Sequence, residues 1–292
     1  MGKAGNQHRV IVTRPAPDAD VWVARLQQAG FNAQALPLID IAAVNNAADV
    51  VALQQASAHL HNYTACMFVS SNAVKHFFRV FLCSKVPVAY VKSAHVAPVN
   101  IANYLPEHLR FLAPGPGTVA ALLAAGVAAS QIDAPAPDAA QFDSDALWQV
   151  IGQRDWHSAR VLVVRGKGDA ADASTGTGRD WLAHQWRASG AIVDVVSSYE
   201  RQVPHLSIEQ TELAKAASRD GSVWLFSSSE AVANLLNQAG LKNVVWQGAR
   251  AIATHPRIVS VVQAAHWGVV QPSRPAMPDI IKALASIELT AI

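Results

Sequence analysis

Short apolar runs alternate along the chain with stretches whose apolar positions recur at helical spacing. Val10-Ile11-Val12 is β-branched throughout, the signature of a strand buried on both faces, and Thr13-Arg14-Pro15-Ala16-Pro17 stops it. From Asp18 the apolar residues Val21, Ala24, Leu26 and Ala29 describe a helix that Gly30 closes. A strand over 33–39, interrupted at Pro37, is followed by a helix over 47–61 and a buried strand over 65–69. Ser70-Ser71-Asn72 then opens a helix that continues through Phe81. Residues 84–110 contain Pro87, Pro98 and Pro106 and suggest only a strand over 86–91. The pattern resumes with a strand at 111–113, the turn Pro114-Gly115-Pro116-Gly117-Thr118, and a helix over 119–125 closed by Gly126. Ser144 caps a helix to Gln153, and a strand over 160–164, a helix over 179–189 and a strand ending at Tyr199 come next. Beyond Pro204 lie a helix (207–218), a strand (223–226), a helix (230–238), a strand (249–253) and a helix to Ala265 ended by Gly268. A short strand at 269–270 and a terminal helix opened by Pro278 complete the chain. Such alternation predicts an α/β protein with parallel sheets flanked by helices.

The elements repeat. An apolar strand, a Ser-Ser pair and a helix occur at 65–81 and again at 223–238. A strand, a small-residue turn and a helix with a closing glycine occur at 111–126 and at 249–268, and a strand ending in arginine at 9–14 and 160–165. The copies interleave, so both sets are complete only if the N-terminal segment joins the C-terminal third. The expected organisation is two lobes joined by a two-stranded linker: 1–37 with 203–292 as a discontinuous lobe, and 38–202 as the other.

Composition narrows the function. A 51% hydrophobic share with 15% charged residues describes a well-cored globular chain, and 23 basic against 21 acidic residues give no reason to expect nucleic acid. Cys66 and Cys83 are too few for a disulfide framework and are expected as buried free thiols in a reducing compartment. With no apolar leader after the N-terminus and no apolar run long enough to span a bilayer, a cytoplasmic protein without membrane contact is expected.

Gly166-Lys167-Gly168-Asp169-Ala170-Ala171 comes after a strand and fits G-x-G-x-x-A, with Asp194 downstream. In a dinucleotide site the glycines form the turn that opens a helix, but Ser174-Thr175-Gly176-Thr177-Gly178 would break that helix, and a mobile loop is preferred. Gly115 to Ala120 fits the same pattern and does lead into a helix, either as a small-anion site or as an ordinary capped start. No G-x-S-x-G elbow surrounds Ser70-Ser71 or Ser227-Ser228, so they are expected to cap helices at the crevice of the sheets. Arg14 and Arg165, each just past a strand, read as carboxylate ligands or as surface arginines. Tyr199 reads as packing or as a phenol that donates a proton to a leaving hydroxyl. The 11 histidines show no metal-ligand spacing, so no metal and no cofactor are expected.

Thr13-Arg14-Pro15, Phe68-Val69-Ser70-Ser71-Asn72-Ala73-Val74, Pro114-Gly115-Pro116-Gly117-Thr118, Val164-Arg165-Gly166 with Gly178-Arg179-Asp180-Trp181-Leu182, Ser198-Tyr199-Glu200-Arg201, and Phe226-Ser227-Ser228-Ser229-Glu230-Ala231-Val232 occur in an order that resembles the uroporphyrinogen-III synthase family. The resemblance implies that the chain closes hydroxymethylbilane, a linear tetrapyrrole rich in carboxylates, with loss of water and inversion of the last pyrrole ring through a spiro intermediate. It implies a monomer acting on a small molecule received from the preceding deaminase. Tyr199 matches the family's cleft tyrosine, which assists departure of the hydroxyl without being indispensable. Arg14, Ser70, Ser71, Thr118, Arg165, Ser227, Ser228 and Thr254 are then assigned to the substrate's carboxylates. The chain departs from the family in splitting a compact Arg-Gly-x-Gly-Gly-Arg turn with residues 169–177, and in a longer 84–110. The competing readings are a two-lobed binder of small ligands without chemistry and a nicotinamide-dependent reductase.

Overall fold

The computed structural model describes residues 8–85, 101–167 and 178–289. The strand expected over 86–91 and the loop 168–177 lie outside the described residues. The N-terminal segment forms β1 (Val10–Val12), α1 (Asp18–Gln28) and β2 (Ala33–Ala35). After these come β3 (Asp40–Ala43), α2 (Ala47–Ala58), β4 (Ala65–Phe68), α3 (Ser71–Lys85), β5 (Arg110–Leu112), α4 (Pro116–Ala124) and β6 (Ile132–Asp133). Next are α5 (Ser144–Ile151), β7 (Arg160–Lys167), α6 (Gly178–Ala188) and β8 (Ile192–Gln202). The C-terminal part supplies α7 (Ile208–Ala217), β9 (Val223–Phe226), α8 (Ser229–Asn237), β10 (Arg250–Ala253), α9 (Pro256–Ala264), β11 (Val269–Pro272) and α10 (Met277–Leu289).

Contacts divide the chain into two units, Met1–Ile41 with Gln202–Ile292, and Ala42–Arg201. The exit lies beyond Pro37 because Leu36, Leu38 and Ile39 are buried in the first unit's core and Ile41 packs on it. The chain leaves through β3 and returns through β8, and these strands are neighbours in the second unit's sheet.

The first unit's five-stranded sheet has the order β11-β10-β9-β1-β2, with parallel pairing throughout. Period-2 alternation sends side chains of each strand to both faces. Val10, Val12, Val223, Leu225 and Ile252 meet Leu26 of α1 and Ile280 and Leu284 of α10. Ile11, Trp224, Phe226, Ala251 and Ala253 meet α7, α8 and α9 on the other face. There Trp246 and Trp267 stack at 4.9 Å, and Trp224 meets both edge-on. Both faces are therefore covered, which accounts for the unbroken apolar runs of these strands.

The second unit's sheet has the order β3-β8-β7-β4-β5-β6, with β8, β7, β4, β5 and β6 mutually parallel. Met67, Val161 and Val163 pack on Leu147, Ile151, Leu182 and Trp186 of α5 and α6. On the other face Phe68 and Phe111 join Phe77 and Phe78 of α3 in a ring cluster with centroid distances of 5.4 to 6.4 Å. Cys66 is buried in this sheet, whereas Cys83 is exposed, because it falls on the outer side of amphipathic α3.

The sequence repeat is a repeat of sheet position. Register places β1 on β7, β9 on β4, β10 on β5, β11 on β6 and β2 on β8, so the interleaved copies occupy equivalent places. Some local expectations shift. Asp143, not Ser144, caps α5, its side chain accepting from the Ala146 N–H at 2.9 Å. The left-handed residue after α9 is His266 (φ 59°), and Gly268 is needed for another reason: a Cβ there would lie 2.0 Å from the Gln247 carbonyl oxygen. Strands β3 and β6 were not anticipated.

Asp133, at the end of β6, accepts from Arg110 at 2.7 and 2.9 Å and from Arg154 at 2.7 Å on each oxygen. Burial alone would raise its pKa, but Arg154 and Arg110 outweigh it and hold the carboxyl at about 2, against 3.8 when free. The folded value is the lower one, so the network's stabilisation is present above the free value and lost as pH falls through about 2. Asp133→Asn is expected to lower stability at neutral pH by about 2 kcal/mol. In urea unfolding the gap from the parent should close as the pH approaches 2.

Candidate active site at the strand ends

In each sheet the strand order reverses direction at one place: between β1 and β9 in the first unit, and between β4 and β7 in the second. Parallel α/β sheets bind ligands outside the carboxyl ends of the strands at such points. Arg14, Ser227 and Ser228 in the first unit and Ser70, Ser71 and Arg165 in the second lie there, while Tyr199 on β8, Thr118 after β5 and Thr254 after β10 stand one strand further out. Val12 pairs with Leu225, and Phe226 with Ala253, so Arg14, Ser227 and Thr254 stand level just past their strands. In the second unit Phe68 pairs with Val164, which brings Ser70 level with Gly166, and Gly166 pairs with Tyr199.

Helices begin directly beyond β4, β5, β9 and β10 and aim N–H groups at the same edges. Ser70 Oγ accepts from the Ala73 N–H at 3.2 Å at the start of α3, and Ser228 Oγ accepts from the Glu230 N–H at 3.2 Å at the start of α8. Ser70 therefore corresponds to Ser228, and Ser71 to Ser229; Ser227 takes the place of Val69. The Ser-Ser pairs of the sequence are thus out of step by one residue, and Ser229, whose buried Oγ has no hydrogen-bond partner, was overlooked. Gly115 and His255 are equivalent caps, each followed by a proline in the first turn. Thr118 is 6% exposed and its N–H donates to the Gly115 carbonyl, while Thr254 is 8% exposed and its N–H donates to the Phe226 carbonyl.

Tyr199 is buried at 4% exposure, and its hydroxyl lies 3.1 Å from Ser70 Oγ. Its ring passes directly over Gly166: a Cβ at that glycine would fall 2.4 Å from Tyr199 Cζ and 2.5 Å from Cε2. The register of β7 and β8 slips at this point, with Arg165 opposite Ser197 and Gly166 opposite Tyr199. Ser198, the extra residue, donates from its buried hydroxyl to the Ala73 carbonyl at 3.3 Å. The His76 ring lies 5.8 Å from that of Tyr199, a neighbour with no signal in the sequence.

Gly166 thus lies within β7, not in a turn opening a helix, as a dinucleotide fingerprint requires. Asp194 is held near the other end of the strands, where it accepts from Tyr63 and from Arg160, each at 2.9 Å. Burial, then that carboxylate, push the Tyr63 phenol up to about 12. The nicotinamide reading is corrected on both counts.

Arg14 is held differently from an ordinary surface arginine. Its guanidinium lies 4.6 Å from the centroid of the Trp22 ring, and its buried Nε has no hydrogen-bond partner. Burial pulls its pKa down, with Asp18 offsetting part of the effect. A desolvated cation with an unused donor favours an incoming anion. Among the described residues no three His, Cys, Asp or Glu side chains gather as metal ligands, and no helix is long and apolar enough to cross a membrane.

A family model described as uroporphyrinogen-III synthase HemD matches residues 20–282. The chain is similar in fold to the crystal structure of a mutant uroporphyrinogen III synthase from Thermus thermophilus, at 14% identity and a TM-score of 0.51, covering 97% of this chain and 98% of that one. It is equally similar to uroporphyrinogen-III synthetase from Helicobacter pylori, at 14% identity and a TM-score of 0.51, covering 98% of this chain and all of that one.

The contact between Gly166 and Tyr199 sets a stability test. Gly166→Ala is expected to destabilise by about 1–3 kcal/mol through overpacking. Most of that loss should vanish when Tyr199→Ala is introduced in the same chain, as read by a double-mutant cycle in urea. Additive losses would mean that the ring does not need the missing Cβ.

Proposed function

The chain belongs to the uroporphyrinogen-III synthase family, a family of cyclising lyases of tetrapyrrole biosynthesis, and on that premise we propose how its residues handle the bilane. Tyr199 donates a hydrogen bond or proton to the departing hydroxyl of hydroxymethylbilane, with Ser70 holding the phenol in place. Departure leaves an electrophilic azafulvene; attack by the substituted carbon of the last ring gives the spiro intermediate, which opens and recloses inverted. The observation that carries this reading is the buried Tyr199 hydroxyl, 3.1 Å from Ser70 Oγ at the strand ends.

Little acid–base power is required, because the pyrrole itself stabilises the azafulvene. Positioning matters more, since the uninverted closure proceeds spontaneously. Arg14, Arg165, Ser70, Ser71, Thr118, Ser227, Ser228 and Thr254 are assigned to the carboxylates. Thr118 and Thr254 have the smaller part, being buried with their N–H groups already engaged. Arg14 has the larger, because its guanidinium is desolvated and its Nε is unused. The protein is read as a cytoplasmic monomer that takes the bilane from the preceding deaminase, a handover favoured by the bilane's tendency to close unaided.

Product analysis tests the reaction. With hydroxymethylbilane generated in situ, isomer III should dominate only when the protein is present; isomer I alone from folded protein would overturn the assignment. Tyr199→Phe is expected to slow turnover by about tenfold without abolishing it, short of the full general-acid contribution. Unchanged turnover would remove its role. Arg14→Met should raise KM by about tenfold with kcat little changed, as loss of uniform binding requires, and steady-state kinetics would show whether the two parameters separate.

A further inference from the structure

We propose that His76 is a positioning residue for Tyr199, its ring bracing the phenol so that the hydroxyl stays on Ser70. The proposal deepens the reading of Tyr199 given above and rests on it for its effect on turnover. Residues 70 to 76 meet the end of β8 along one line. Ser70 takes the Tyr199 hydroxyl, Ala73 takes the Ser198 hydroxyl, and the His76 ring lies 5.8 Å from the Tyr199 ring at a tilt of 37°. A phenol over a glycine has no side chain beneath it to stop it tilting, and the imidazole is the ring contact that limits its swing.

The other unit supplies an independent indication. Counting from the paired strands, the residue equivalent to His76 on α8 is Asn234, and the part of the chain equivalent to the end of β8 is the stretch around Leu38. Asn234, buried, donates from Nδ2 to the Leu38 carbonyl at 2.8 Å. In both units, then, this helix position holds the segment at the end of the equivalent strand. In the first unit it fixes backbone with an amide; in the second it meets the phenol with an aromatic ring.

The charges around His76 favour its neutral form. Burial, then Arg79 and Lys75 on its own helix, pull its pKa down. Tyr199 faces it from β8. Of the other elements packed on α3, α4 carries no ionisable side chain, and Asp49 of α2 is engaged by Lys167 of β7 at 2.6 Å. Arg165 is the remaining cation at this end of β7.

The test uses the full chain with ring-carbon-labelled tyrosine. There are 4 tyrosines, and the Tyr199 signal is the one lost in Tyr199→Phe. In the parent, that signal should shift with pH at a midpoint below 6.5, and in His76→Phe it should stay flat. His76→Ala should lower turnover about fivefold with KM within about twofold, His76→Phe should restore it, and His76→Ala should add nothing in a Tyr199→Phe background. A Tyr199 signal indifferent to pH would overturn the proposal, as would an equal loss from His76→Ala with and without the phenol. A signal that titrates while Tyr199→Phe keeps full turnover would uphold the bracing contact and remove the chemical role of Tyr199 instead.

Discussion

The slip in register between Arg165 and Gly166 governs how the second unit presents its chemistry. Successive residues of a regular strand point to opposite faces. Ser198 and Tyr199 nevertheless both reach α3, the serine to the Ala73 carbonyl and the tyrosine to Ser70. One inserted residue makes this possible, because a bulge re-aims the next side chain along the strand. The ring then needs room against β7, and Gly166 provides it by lacking a Cβ. Bulge, glycine, cap and phenol form one arrangement, and altering any member displaces the others.

The strand-end location is a consequence of topology. In each sheet the connections run outward in opposite directions from one pair of strands, β1 and β9 in the first and β4 and β7 in the second, and leave a gap beyond their carboxyl ends. Serine caps and helix N-termini line that gap in both units, giving donors suited to carboxylates before any particular substrate is considered. An arginine stands at the equivalent position in each, Arg14 just past β1 and Arg165, expected just past its strand, inside β7, which runs on to Lys167.

Much of this was legible in the residues. Runs such as Val10-Ile11-Val12 and Val223-Trp224-Leu225-Phe226 show burial on both faces directly, and capping serines mark where strands hand over to helices. Strand β3 escaped notice because Asp40-Ile41-Ala42-Ala43 is exposed at both ends and only partly buried between. The glycine at 166 fits a phosphate-binding pattern but reads in the sequence as part of a mobile loop, since sequence cannot distinguish a glycine needed for conformation from one needed, as here, for clearance. The one-residue offset between the serine pairs was hidden by Ser227-Ser228-Ser229, where each serine resembles the next. His76 gave no signal, because its partner lies more than a hundred residues away and the contact exists only after the bulge forms.

The two copies of the fold differ where the second carries Tyr199. The stretch equivalent to Tyr199 in the first unit is Leu38-Ile39, buried in the core and tied down by Asn234. No phenol can stand there without opening that core, since tyrosine in a packed apolar site would leave its hydroxyl unsatisfied. The first unit instead keeps a desolvated arginine stacked on Trp22. On the roles proposed for them, removing Arg14 would weaken capture of the substrate and disturbing Tyr199 would slow the chemical step. The same fold, used twice, differs at the end of one strand in each copy, where one unit buries leucine and isoleucine and the other places a phenol against Ser70.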